Sequence, residues 1–194
     1  MFLEDAPVTD ETRSWLDESA AADGYVANHT RLWAWRPDMD RDFLALRSRL
    51  LSTTSLDERE RALVVSAAVS ALGDSYCSLA WGSKLASLTS ERDAALVIAE
   101  RDPESLTTRE RALATWVRKM VRDPNSTTKA DVDELRSAGF DNREIFEATL
   151  LAAYRVAFST VNDALGCSPD RELYDAAPLA LKSAVTFGRR EAAN

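Results

Sequence analysis

The sequence predicts an all-α protein of about nine helices, and three observations carry that reading. Apolar residues recur at helical spacing along the chain, while no segment alternates with period two for long enough to form a strand. Hydroxyl or carboxylate residues followed three positions later by an acid mark several helix starts. Glycines stand at Gly73, Gly139 and Gly166, where periodic stretches end, and glycine accepts the left-handed conformation that closes a helix.

Taken in order, helices are expected at 9–22, 38–51, 56–72, 75–88, 90–100, 107–122, 128–138, 141–165 and 174–190. Ser55 with Glu58 is expected to open the third, and Gly73 to close it. Asp74 or Ser75 caps the fourth. Thr107 with Glu110, Thr128 with Asp131, and Asp141 with Glu144 open the sixth, seventh and eighth. The segments Leu63–Leu72 and Ile145–Leu165 are apolar nearly all round, so both should be central, covered by other helices or by a neighbouring subunit. The pentapeptide Arg59-Glu60-Arg61-Ala62-Leu63 returns as Arg109-Glu110-Arg111-Ala112-Leu113, each copy after a leucine (Leu56, Leu106). An internal duplication or a shared way of starting a helix explains this.

The length suits one domain, 1–194, and no Pro- or Gly-rich linker divides it. A net charge of −8 disfavours nucleic acid as a partner. Basic residues cluster only near the end, at Lys182, Arg189 and Arg190, as at a helix C-terminus. The acidic start lacks the pattern of a secretory signal, and the longest apolar run is too short to cross a bilayer. We therefore expect a cytoplasmic protein that does not bind membranes, with Cys77 and Cys167 as thiols.

Cys77 is the leading candidate for chemistry. It follows Gly73-Asp74-Ser75-Tyr76 and so sits in the first turn of a helix, where amide groups and the helix dipole favour a thiolate. Asp74 opposes that charge. A buried cysteine of this kind also serves as a small core residue. His29 is the only histidine, which excludes multi-histidine metal sites; it is either a general base reaching in from a neighbouring segment or an ordinary residue near a helix start. Nucleotide-binding and hydrolase motifs are absent, and no cofactor is expected. Among the aromatics Tyr25, Trp33, Trp35 and Phe43, the two tryptophans cannot share one helical face, so one is expected to turn inward. Glu58, Glu60 and Arg61 are either first-turn charges or polar wall residues of a cavity. Arg155 interrupts an apolar helix and needs a salt bridge or an anionic ligand.

The segment from Leu56 to Trp81 resembles the core of the alkylhydroperoxidase D-like (carboxymuconolactone decarboxylase) family: an Arg-Glu-type helix start, an Ala/Val-rich helix, then Cys-x-x-Cys-x-x-x-His opening the next. Flanking features resemble its peroxidase-related subgroup. These are Gly24-Tyr25-Val26-Ala27-Asn28, Arg36-Pro37, Leu106-Thr107 through Leu113, Arg122-Asp123-Pro124, Ala138-Gly139-Phe140 and Asp163-Ala164-Leu165-Gly166. The likeness covers about 24–170, leaving an N-terminal arm 1–23 and a C-terminal helix 174–190. It implies an orthogonal helical bundle, a homo-oligomer (dimer, trimer or hexamer) and an antioxidant, peroxiredoxin-type oxidoreductase.

In that family the second motif cysteine is the peroxidatic thiol, the first resolves it, and the His with a Glu fifteen residues upstream form a proton relay. Here only the peroxidatic position survives, as Cys77; the others are Asp74, Trp81 and Ala62. Trp81, one turn after Cys77, is expected to pack against the sulfur. The resemblance implies residual thiol chemistry at Cys77. The alternative is a degenerate scaffold that binds a small apolar or acidic ligand, with Tyr76, His29 and Arg155 in the pocket, or runs a decarboxylase-like reaction.

Overall fold

Eleven α-helices and one short 3-10 turn form between Asp10 and Ala184 in the computed structural model, which describes residues 1–190; no strand occurs among them. They are α1 (Asp10–Asp23), α2 (Asn28–Trp33), α3 (Pro37–Thr53), α4 (Glu58–Leu72), α5 (Ser75–Leu88), α6 (Glu91–Ile98), α7 (Thr108–Arg122), α8 (Lys129–Ser137), α9 (Asn142–Ala164), α10 (Arg171–Ala176) and α11 (Leu179–Ala184). Among the described residues, no helix is long and apolar enough to cross a membrane.

Capping boxes open α7, α8 and α9 at Thr107, Thr128 and Asp141, as the sequence indicates. The start of α4 differs. Its cap is Asp57 with Glu60 rather than Ser55 with Glu58, because the Ser55 amide and hydroxyl instead donate to Glu147 Oε2, each at 2.8 Å. The expected C-terminal helix 174–190 is a further correction. Pro178 lacks an amide proton and separates α10 from α11, and residues 185–190 are not helical. Helix α2 is an addition that no cap or long periodic run announces.

The centre is α4, whose Ala62–Val69 stretch is buried on every side. It packs on α5, α7 and α9, and its Ala, Val and Ser side chains let those neighbours come close. The repeated pentapeptide lies where α4 and α7 meet, and the two copies hold each other. Arg59 bonds Glu110, and Arg109 Nε donates to Glu60 Oε1 at 2.6 Å. In each copy the second arginine donates to the carbonyl of the leucine five residues before it, Leu56 at 2.9 Å and Leu106 at 3.0 Å. The result is a local pseudo-twofold exchange of charges.

Trp33 is the tryptophan that turns inward. It stacks on Phe158 with centroids 5.3 Å apart and donates to Asn162 Oδ1 at 2.8 Å, whereas Trp35 is exposed. Phe2 and Arg189 meet above the C-terminus of α9. The Phe2 amide donates to Leu165 O at 2.9 Å, and the Phe2 ring occupies the space beside Gly166. The Arg189 guanidinium lies 4.6 Å from the centroid of that ring.

Candidate thiol site

Gly73, with φ of +87°, ends α4 in the left-handed conformation and turns the chain into α5. Asp74 caps α5 by accepting the Cys77 amide at 2.9 Å, so Cys77 stands in the first turn. The thiol is buried, 3% exposed. Arg155, from the inner face of α9, places Nη1 3.2 Å from Cys77 Sγ, and Ser159 stands beside the sulfur one turn further on. Burial pushes the Cys77 thiol well above the usual range, and the Asp74 carboxylate adds to this; Arg155 and Ser159 pull it back only in part. The resting group is a protonated thiol, despite its helix-start position.

Arg155 is itself buried and has no carboxylate within 4.0 Å among the described residues. Its guanidinium lies 4.9 Å from the Phe158 ring centroid and 5.5 Å from that of Trp81. Trp81, expected to pack against the sulfur, thus has its ring beside the guanidinium that contacts the sulfur. Nε of Arg155, Oδ2 of Asp74 and Oγ of Ser159 are buried without hydrogen-bond partners.

A second buried chain of contacts adjoins this one. His29 Nδ1 lies 3.0 Å from Tyr76 Oη, and Tyr76 Oη donates to Asp170, whose other oxygen accepts the Asn28 amide at 2.7 Å. Burial, with Arg155 and Arg47 nearby, lowers His29 to about 4, so the ring is neutral at physiological pH. Burial and Asp170 push Tyr76 upward. His29, Tyr76 and Arg155 therefore come together, with Phe158 edge-on to His29. Cys167 is a free, buried thiol raised to about 12 by burial and by Asp170 and Asp74. Three contributors escaped the sequence reading: Ser159, Asn162 and Asp170. The first two carried a signal, since they follow Arg155 at helical spacing.

A cleft of about 430 Å³ lies on another face of α5, lined by Ser75, Leu79, Tyr174, Lys182 and the 185–190 segment. Cys77 is not part of its wall. Among the described residues, no group of three or more potential ligands is placed to hold a metal ion.

No family model matches the sequence, and no curated protein does. Solved structures do. An uncharacterized peroxidase-related protein from Ralstonia eutropha JMP134, described as an alkylhydroperoxidase AhpD core, matches with a TM-score of 0.75 and 25% identity over 90% of this chain and 93% of its own. The chain has the alkylhydroperoxidase D-like fold. An uncharacterized peroxidase-related protein from Silicibacter sp. TM1040 matches with a TM-score of 0.74 and 22% identity, over 90% and 91% of the two chains. The debrominase Bmp8 shares the fold at a TM-score of 0.69 and 13% identity, over 92% and 94%. A cysteine-to-alanine variant of that debrominase has been solved in complex with 2,3,4-tribromopyrrole.

Within the alkylhydroperoxidase D-like frame, the four motif positions have distinct surroundings. Ala62 is fully buried in α4 and offers no proton acceptor; Asp74 is fully buried as the α5 cap; Trp81 is partly buried under Arg155. The sulfur of Cys77 lies between the Asp74 cap and the cation on α9.

Proposed function

We propose that this chain is a one-cysteine, peroxidase-related thiol protein in which Cys77 reacts without a resolving partner and Arg155 balances its charge. The observation that carries the proposal is the 3.2 Å contact from Arg155 Nη1 to Cys77 Sγ in the interior. A guanidinium keeps its proton in proteins, so the natural counter-ion for it is the thiolate. The unpartnered Oδ2 of Asp74 is an acceptor beside the thiol for its proton. Moving that proton from sulfur to carboxylate leaves the net charge of the three groups unchanged, which is the least costly way to form an anion where water is excluded.

The proposed reaction then balances. The thiolate attacks one peroxide oxygen, the O–O bond breaks, and Cys77 becomes a sulfenic acid while the departing oxygen takes the proton from Asp74. An external thiol condenses with the sulfenic acid, releasing water and forming a mixed disulfide; a second thiol releases Cys77. The raised thiol pKa makes this centre slow at neutral pH.

The test uses Cys167→Ser, which leaves one thiol. Iodoacetamide labelling of Cys77 should accelerate steadily with pH and show no plateau below about pH 9. Peroxide should give one dimedone-trapped sulfenic acid per chain, and Arg155→Met should slow both reactions about tenfold or more, with Arg155→Lys intermediate. Absence of sulfenic acid, or equal rates in the Arg155→Met variant, overturns the proposal.

The aromatic walls around Arg155 favour a second reading, a scaffold that holds a small apolar or acidic molecule against the guanidinium. The tribromopyrrole complex of the debrominase illustrates such a ligand class on this fold. A ligand-induced rise in melting temperature that survives Cys77→Ser and disappears in Arg155→Met would support it over the redox reading. A cytoplasmic, antioxidant role belongs to the first proposal.

A further inference from the structure

His29, Tyr76 and Asp170 take no part in the thiol reaction, yet their contacts fix where each proton of the group lies. Asp170 stands at the N-cap position of α10, but its side chain caps nothing there. Its buried carboxylate is turned to two other helices instead. Oδ1 accepts the Asn28 amide at the start of α2 at 2.7 Å, and Oδ2 accepts the Tyr76 hydroxyl from α5. The phenol has one proton, and the carboxylate receives it. The 3.0 Å contact between Tyr76 Oη and His29 Nδ1 therefore runs the other way, with the imidazole donating. A neutral ring protonated on Nδ1 carries its lone pair on Nε2. Among the described residues Nε2 has no hydrogen-bond partner, and it is not one of the atoms sealed from solvent. A tie between α2, α5 and α10 needs only Asp170 with Asn28 and Tyr76; it does not need an imidazole with one nitrogen fixed and the other left open.

We propose that Asp170, Tyr76 and His29 form a proton relay whose open end, His29 Nε2, takes the proton of a weakly acidic O–H or N–H ligand. The step balances without an outside partner. Nε2 accepts the incoming proton, Nδ1 gives its own to Tyr76 Oη, and the phenol passes its hydrogen to Asp170 Oδ2. The imidazole ends neutral as the other tautomer, the phenol ends neutral, and the negative charge moves from Asp170 to the ligand.

The surroundings suit that route. Burial, with Arg155 and Arg47 nearby, disfavours a charged His29 ring, and burial with Asp170 disfavours a charged Tyr76. Asp170 is the member that gains from a proton. Burial raises it and Glu172 adds to this, against the hydrogen bonds from Tyr76 and Asn28. The ligand's new charge also has a cation nearby. His29 meets the Phe158 ring edge-on at 5.9 Å between centroids, and the Arg155 guanidinium lies 4.9 Å from the centroid of the same ring. That last pairing rests on the reading of Arg155 as the counter-ion of an acidic molecule; the relay itself does not.

His29 is the only histidine in the chain, so its ring can be observed alone. Proton–nitrogen correlation spectra of the nitrogen-labelled chain at neutral pH should show a neutral ring protonated at Nδ1. Asp170→Asn should reverse the tautomer. Its amide keeps an oxygen for Asn28 but turns an N–H toward Tyr76, so the phenol gives its proton to Nδ1 and Nε2 carries the hydrogen. Diethyl pyrocarbonate, which acylates an unprotonated imidazole nitrogen, reports the open lone pair. The wild-type rate should stay flat from about pH 5.5 to 8, since a ring held near 4 is neutral throughout, whereas an ordinary histidine gains reactivity through about 6.5. Asp170→Asn should slow acylation about tenfold, with Tyr76→Phe, which frees the tautomer, in between. An Nε2-protonated ring in the wild type, which needs no variant to fold, overturns the proposal. So does a tautomer unmoved in a folded Asp170→Asn variant, or a wild-type rate that climbs through about pH 6.5. These variants leave Cys77 and Arg155 in place, so a failure here is distinct from a failure of the thiol reading.

Discussion

Replacing Arg109 by methionine should destabilise the fold by about 3 kcal/mol. The guanidinium donates to Glu60 Oε1 at 2.6 Å, to Glu144 Oε1 at 2.7 Å and to the Gly139 carbonyl at 2.6 Å, and it covers the Phe140 ring at 3.6 Å. The Glu60 side chain is only 8% exposed. Removing one partner of a buried pair costs about 3–5 kcal/mol, because the other charge is left without compensation. Two features place this case at the low end. The Arg109 side chain is 28% exposed, and Glu60 keeps a second donor in the Asp57 amide. Methionine preserves the packing of the aliphatic stem. For a chain of this size the melting temperature should fall by about 6–12 °C. Urea unfolding at constant m-value measures the free energy directly. Glu60→Gln, which retains the cap, should cost about 1–2 kcal/mol, and Arg36→Ala, which breaks the exposed pair with Asp38, should change nothing measurable. A loss below about 1 kcal/mol for Arg109→Met, or an equal loss for Arg36→Ala, would refute the view that the exchanged charges hold α4 and α7 together.

Two other sites yield independent predictions. Burial, helped by Asp74 and opposed by Arg189, raises Asp163 to about 7 from an ordinary 3.8. Between those values the folded chain keeps a proton that the unfolded chain has lost, so stability should fall as pH rises through the window. Asp163→Asn should flatten that fall and gain about 1–2 kcal/mol at pH 7 after allowance for partial exposure; an unchanged slope counts against the assignment. At Gly166, φ is +77° and an added Cβ would lie 2.8 Å from the Phe2 ring, so Gly166→Ala should cost about 1–2 kcal/mol. In a Phe2→Ala background only the backbone part, about 1 kcal/mol, should remain, and an equal cost in both backgrounds would exclude the steric part.

The helices were legible wherever cap and period coincide. Thr107, Thr128 and Asp141 open helices because the chemistry that starts each one lies within four residues of sequence. Ser55 was named as the α4 cap although Asp57 equally precedes an acid by three; only Glu147, distant in sequence, draws Ser55 away. Pro178 was a visible break in the segment 174–190. Helix α2 was not visible, since six residues without a side-chain cap leave no period to detect. At the site, Cys77 stood out at its helix start, Arg155 as a charge in an apolar helix and His29 as the lone histidine, while Tyr76 entered only as a neighbour in the pocket. That Arg155 reaches sulfur was hidden, because the contact joins positions 78 residues apart. The raised thiol pKa was hidden for a related reason: the first-turn position of Cys77 is local, whereas the burial that outweighs it comes from the whole bundle.

Asp74 fills two offices at once, holding the first turn of α5 and facing the sulfur. Asp74→Cys would recreate the spacing of a dithiol centre in a single substitution, yet it would also strip the Cys77 amide of its acceptor at a cost of about 1 kcal/mol. A thiol at position 74 would therefore trade the stability of the α5 cap for a neighbour to Cys77.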